Sequence, residues 1–198
     1  MITLCMDTSF HFLTLVLIQD SKVIASIQEE AFRQQSETIL TRLDTLFKSN
    51  GIVPTQINEI VITDGPGSYT GLRIAMSIAK TLAAIAPIKL YTLSSLRLLA
   101  GNSKSVGVLI DARANRVYFG HYDHGKTLIE DGIYTLEEAE SYCKDCLVVY
   151  GHLSLLKQQD VWPSYSDHFL VLRNEWREIT DVLNLSPRYF KDHEAYQK

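Results

Sequence analysis

Gly65-Pro66-Gly67-Ser68-Tyr69-Thr70-Gly71 lies between an apolar run, Glu59-Ile60-Val61-Ile62-Thr63, and a long stretch of helical periodicity. The segment reads as a strand-to-helix turn. Gly65 and Gly67 permit backbone angles closed to other residues, and Pro66 fixes the bend between them. Backbone N–H groups at a helix N-terminus attract anions, so a phosphate cradle is one reading. The Lys-Ser/Thr of a P-loop is missing, which leaves a tight turn as the plainer one.

The helix that follows starts near Ser68 and reaches about Ala86, where Pro87 stops it. Gly71, Ala75, Ala79 and Ala83 fall four apart and form one ridge of small residues. Such a ridge allows close approach of another helix. Leu72, Ile74, Met76, Ile78 and Leu82 occupy the other faces. A helix apolar nearly all round is buried on more than one side. One side serves its own sheet. The second is expected to meet the preceding helix, another subunit, or both, although an internal core helix gives the same pattern.

That preceding helix spans about residues 36–48, with Ser36 as its expected N-cap and Gly51 as its stop. Its apolar face is Ile39, Leu40, Leu43, Leu46 and Phe47. Upstream, residues 2–6, 12–18 and 23–27 read as three short strands in an antiparallel meander. Residues 88–91 read as a further strand, and residues 93–100 as a short helix capped by Ser94 or Ser95.

Gly101-Asn102-Ser103-Lys104-Ser105 is small and polar and reads as a linker, so domains of 1–102 and 103–198 are expected. Beyond it come strands at 106–110, 116–123 and 146–150, a helix opening at 134–140, and an irregular stretch at 151–180. The order resembles the half-domain pattern of actin, hexokinase and acetate kinase. The expectation is an α/β fold of that (ASKHA) type, with two small domains that each carry a mixed sheet.

Composition narrows the functional classes. A net charge of −4 over 198 residues makes the chain a poor lone binder of nucleic acid. No window reaches the roughly 18 consecutive apolar residues of a membrane span. Met1-Ile2-Thr3-Leu4-Cys5-Met6-Asp7 has no basic n-region, so no signal peptide is read. Three cysteines, at 5, 143 and 146, fit a reducing cytoplasm. Cys143-Lys144-Asp145-Cys146 has redox or metal-pair spacing but no second pair to complete a zinc site.

Several motifs together resemble one family. Asp64-Gly65-Pro66-Gly67-Ser68-Tyr69-Thr70-Gly71-Leu72-Arg73 is similar to the signature of the bacterial TsaB (YeaZ) family. Met6-Asp7-Thr8-Ser9 resembles its first-strand motif, and Arg33-Gln34-Gln35-Ser36-Glu37 its entry to the first helix. Ile110-Asp111-Ala112-Arg113 with Val117-Tyr118, and the tail Pro187-Arg188-Tyr189-Phe190-Lys191, resemble two further blocks. Gln35, Arg116 and Ala75 depart from the family's usual His, Glu and Gly.

The resemblance implies a dimerisation subunit for TsaD, which transfers threonylcarbamoyl to the tRNA adenosine next to the anticodon. TsaE, a small ATPase, would join them. A homodimer in isolation and tRNA contact only through the complex are also implied. On this reading the joint is formed by Ile39, Leu40, Leu43, Leu46 and Phe47 on the first helix. Gly71, Leu72, Ala75, Met76, Ala79, Leu82 and Ala83 contribute from the second.

Catalytic machinery is not legible. TsaD-like proteins hold metal with a His-x-x-x-His helix, whereas none of the histidines at 11, 121, 124, 152, 168 and 193 are so paired. His121-Tyr122-Asp123-His124 is the one cluster, and it falls at a strand end and turn. Asp7, Thr8, Gly65, Gly67, Ser68 and Asp111 form a candidate vestigial nucleotide site. The other reading of Asp7 and Asp111 is that they cap turns. The expectation is therefore no cofactor on this subunit, with ATP and metal on its partners. An ATP-dependent kinase-like enzyme is the alternative. A peptidase is a further one, but Ser68 lacks the Gly-x-Ser-x-Gly elbow.

Overall fold

A computed structural model describes residues 1–31 and 33–190. In chain order the elements are β1 (Ile2–Asp7), β2 (Phe12–Gln19), β3 (Lys22–Glu30), α1 (Gln35–Ser49), β4 (Glu59–Gly65), α2 (Tyr69–Ile85), β5 (Lys89–Ser94) and α3 (Ser95–Ala100). There follow β6 (Val106–Arg113), β7 (Arg116–Asp123), β8 (Lys126–Thr135), α4 (Leu136–Cys143), β9 (Val148–Gly151), α5 (His168–Val171) and β10 (Arg177–Ile179). Two compact units result: Met1–Ser95 with Ser166–Pro187, and Leu96–Tyr165 with residues 188–190.

The first unit is built on a six-stranded sheet, in the order β10-β5-β4-β1-β2-β3. β1, β4 and β5 run parallel, while β2, β3 and β10 are antiparallel to their neighbours. The central strands are buried on both faces, which is why β1 and β4 read as nearly unbroken apolar runs. On one face Leu4, Met6, Leu13, Leu15, Leu17, Ile60 and Ile62 pack with Ile39, Leu43, Leu46, Phe47, Ala75, Met76 and Ala79 of α1 and α2. The chain's late segment returns to this unit. Trp176 packs on Tyr91 at 5.8 Å, Arg173 meets Glu59 at 3.0 Å, and Arg177 meets Asp64 at 2.5 Å.

The second unit carries a four-stranded mixed sheet, in the order β8-β7-β6-β9. Its core gathers Leu109, Val117, Phe119 and Ala139, with Tyr134 and Tyr142 packed around Phe119. Thr135 caps α4 in a reciprocal box, its hydroxyl accepting from the Glu138 N–H while the Glu138 carboxylate accepts from the Thr135 N–H.

Several expectations are corrected. The units are not 1–102 and 103–198. The break falls after Ser95, and residues 166–187 belong with the first sheet because β10 pairs with the edge of β5. β8 and β10 are strands beyond those expected from the sequence. Ser36 does not cap α1: the N-cap is Gln34, which makes no side-chain capping bond. Ser68 does cap α2, its Oγ accepting from the Gly71 N–H at 3.2 Å. Gly51 terminates α1 with φ at +63°. Ala86, ahead of Pro87, is extended and ends α2. Lys191 of the tail motif and His193 lie outside the described residues.

Candidate functional site

The 65–71 turn is filled by the chain itself. A Cβ on Gly67 would lie 2.8 Å from the Ser9 carbonyl oxygen, and a Cβ on Gly71 would collide with the carbonyl of Thr8. These glycines therefore exist for the close approach of the turn to the end of β1. The gap is sewn by hydrogen bonds. Ser68 N–H donates to Ser9 O at 2.8 Å, Thr8 Oγ1 donates to Gly71 O at 2.6 Å, and Ala75 N–H donates to Thr8 Oγ1 at 3.3 Å. The Gly65-Pro66 peptide is cis.

The two aspartates of the candidate nucleotide site act locally. Asp7 is 1% exposed, and its Oδ1 accepts from Thr63 Oγ1 at 2.6 Å and from Ser9 N–H at 3.0 Å. Asp111 belongs to the second unit. Its Oδ1 accepts from Arg113 N–H at 2.7 Å, and its own N–H donates to His152 Nδ1 at 3.1 Å. Both behave as turn-capping acids.

The His121–His124 cluster is split in the same way. His121 Nε2 lies 2.9 Å from Ser105 Oγ, and Asp123 Oδ1 accepts from Ser105 N–H at 3.0 Å. Ser105 Oγ also lies 3.1 Å from the Asp145 carbonyl oxygen, which accepts from it, so the hydroxyl ties the turn to two neighbouring segments. Burial pushes the Cys143 thiol up to about 11 and the Cys146 thiol up to about 12, which keeps both protonated and unreactive near neutrality. Among the described residues, no group of three or more His, Cys, Asp or Glu is placed to hold a metal ion.

A different feature stands out on the outer side of α1 and α2. A shallow groove of about 500 Å³ runs between them. Ile39, Leu40, Ile74 and Ile78 form its apolar lining, and Tyr69 and Arg73 stand at its rim. Leu40 is 65% exposed and Tyr69 58% exposed. The Arg73 guanidinium sits 4.1 Å from the centroid of the Tyr69 ring, one turn away along α2.

Most of the residues expected at the joint are buried within the subunit. Leu43, Leu46, Phe47, Leu72, Ala75, Met76 and Ala79 are core residues, and Gly71 is buried beneath the Thr8 carbonyl. The ridge of small residues faces its own sheet, because only small side chains let α2 lie so close to β1. Of the expected set, Leu40 is exposed, Ile39 contributes a groove wall, and Leu82 and Ala83 are half-buried. Sequence periodicity puts Ile74 and Ile78 on α2 but outside the expected joint, which also leaves out Tyr69 and Arg73. The i, i+4 pairing of Ile74 with Ile78, beside the small ridge, is the signal that identifies a second apolar stripe.

The family model for TsaD, tRNA N6-adenosine threonylcarbamoyltransferase, matches residues 21–144, more than half of the chain. A Bacillus subtilis protein named tRNA threonylcarbamoyladenosine biosynthesis protein TsaB is 29% identical over 227 residues, covering 100% of this chain and 97% of its own length. The chain belongs to the TsaB (YeaZ) family. Two crystal structures from Pseudomonas aeruginosa share its fold. One, YeaZ, superposes with a TM-score of 0.74 at 20% identity, covering 95% of this chain and 99% of that one. The other, an uncharacterized protein with similarity to peptidase YEAZ, gives a TM-score of 0.78 at 18% identity over 96% and 99% of the two chains. The TsaB-family fold is thus the expected actin/hexokinase-like α/β architecture with two mixed sheets. No helix among the described residues is long and apolar enough to cross a membrane.

Proposed function

We propose that this chain serves tRNA threonylcarbamoyladenosine biosynthesis as a non-catalytic subunit that binds and activates a TsaD-type partner through the α1–α2 groove. The observation that carries this reading is the groove itself. Leu40, Ile74 and Ile78 expose apolar surface on helices whose inner faces are already packed. Exposed apolar surface flanked by polar residues suits a partner helix. The local hydrogen bonds of Asp7 and Asp111, which tie them to Thr63, Ser9 and Arg113, support a non-catalytic role.

In this scheme ATP and metal are carried by the partners, TsaE joins as a third protein, and tRNA is met through the assembly. In isolation the same groove closes on a second copy. The test is reconstitution of threonylcarbamoyl transfer from TsaD, TsaE, tRNA, threonylcarbamoyl-adenylate and this chain, with each component omitted in turn. Transfer that needs this chain, and fails with the Ile78→Asp variant, is expected. Full transfer without the chain would sink the reading.

A further inference from the structure

We propose that a second copy of this chain closes on the groove with α2 antiparallel to α2, each Ile85 seated in the other copy's groove beside Ile74. The inference rests on the docking role above and deepens it. It assigns the register of self-association and separates that association from partner binding.

One stripe of α2 carries Ile74, Ile78, Thr81 and Ile85. They are spaced four, three and four residues apart, the repeat that keeps a seam turned towards a second helix. Ile74 and Ile78 are half-buried and line the groove. Ile85 lies outside that lining and is 76% exposed, a knob that finds no hole within its own subunit. The stripe is also ready to be dried. Thr81 Oγ1 donates to Ser77 O at 2.9 Å, so burial would not orphan its hydroxyl. Lys80 is drawn off the seam, its Nζ donating to Leu183 O at 2.7 Å and Leu185 O at 3.1 Å. α2 contains no acid.

The stripe complements itself in one direction. With two copies antiparallel about an axis midway between Ala79 and Lys80, Ile74 meets Ile85 of the second copy, and Ile78 meets its Thr81. Both pairings follow from the same axis, so four successive layers are filled at once. The exposed knob then enters the groove where Leu40 and Ile74 form the wall. A parallel pair would instead set the two helix dipoles side by side in the unfavourable sense, which the antiparallel pair reverses. A TsaD-type partner brings its own side chain to the groove and has no need of Ile85. The two associations therefore share Ile78 and part at Ile85.

The experiment uses the full-length chain and its TsaD partner, with sedimentation for self-association, calorimetric titration for partner binding and thermal melting to confirm folding. Ile85→Asp is expected to melt like the parent and to weaken self-association about a hundredfold or more, because two buried aliphatic side chains are lost per dimer. It should bind the partner within about twofold of the parent. The register is read by cross-linking with a bis-maleimide that spans about 10 Å, the distance between packed helix axes. A mixture of Ile74→Cys and Ile85→Cys copies should give a cross-linked pair. Ile74→Cys alone should give no more than the parent, since its two thiols stand about 16 Å apart along the helices. Parent-like self-association by Ile85→Asp, or cross-linking of Ile74→Cys to itself, overturns the register. Equal loss of both associations in Ile85→Asp overturns their separation. If Ile78→Asp keeps both associations, it is the groove reading that fails.

Discussion

The hydroxyl of Thr8 donates to the carbonyl of Gly71 across 2.6 Å, joining the end of β1 to the first turn of α2. The same oxygen receives the Ala75 N–H at 3.3 Å, so one side chain spans a full helical turn. This contact is possible because position 71 has no Cβ.

Gly71→Ala is expected to destabilise the protein by about 1–3 kcal/mol, since the new methyl meets backbone that cannot move aside. Thermal or urea unfolding measures it. A variant as stable as the parent would show that α2 can shift away from β1 at little cost.

Ala79 and Ile78 are neighbours with opposite roles. Ala79 is 0% exposed in the core under α2, so Ala79→Glu buries an unpaired charge and is expected to unfold the subunit. Ile78 lines the groove, so Ile78→Asp should melt near the parent temperature and yet fail to co-purify with TsaD. Circular dichroism melts and pull-downs separate the two. A folded Ala79→Glu protein would contradict the packing described for α2.

Asp7→Ala leaves the Thr63 hydroxyl and the Ser9 N–H without their acceptor in a buried site. A loss of about 1–3 kcal/mol per orphaned group follows, visible in urea unfolding. Calorimetric titration of the unaltered chain with Mg-ATP is expected to show no saturable micromolar binding. A clear micromolar isotherm would restore a kinase-like reading.

Burial raises the thiol pKa of Cys143 to about 11 and of Cys146 to about 12, against an ordinary value of 9.0. The neutral thiols are favoured in the folded state. Their contribution to stability is thus complete below pH 9.0 and is lost as pH climbs towards 11 and 12. Compared with the Cys143→Ala/Cys146→Ala variant, the parent should lose more stability between pH 8 and pH 10.5. Equal losses would mean that the thiols are already ionising as they would in the unfolded chain.

The legible parts of the molecule were those governed by local chemistry. β4, the glycine turn and α2 declare themselves through an apolar run, Ser68 and Pro87, and α1 through its repeat of Ile39, Leu43, Leu46 and Phe47. β8 was missed because Glu130 and Asp131 interrupt its alternation. β10 was missed because three residues, Arg177-Glu178-Ile179, become a strand only by pairing with Tyr91 and its neighbours. The small ridge on α2 is ambiguous for a related reason. A row of small residues serves close packing equally well inside a subunit or between subunits. What separates the two is the position of the Thr8 carbonyl, a residue 63 places away in sequence.

β10 has a consequence for how the chain is made. Synthesis delivers β1 to β5 first, then the strands of the second sheet, and only afterwards the strand that closes the first sheet. Until Arg177 leaves the ribosome, the open side of β5 is a bare template for stray strands. Asp64 and Glu59 likewise wait for Arg177 and Arg173 to arrive. A nascent chain stalled just before β10 would carry the strands of the second sheet already paired beside an unsealed first sheet, which makes the wait for β10 the interval in which this protein most needs a chaperone.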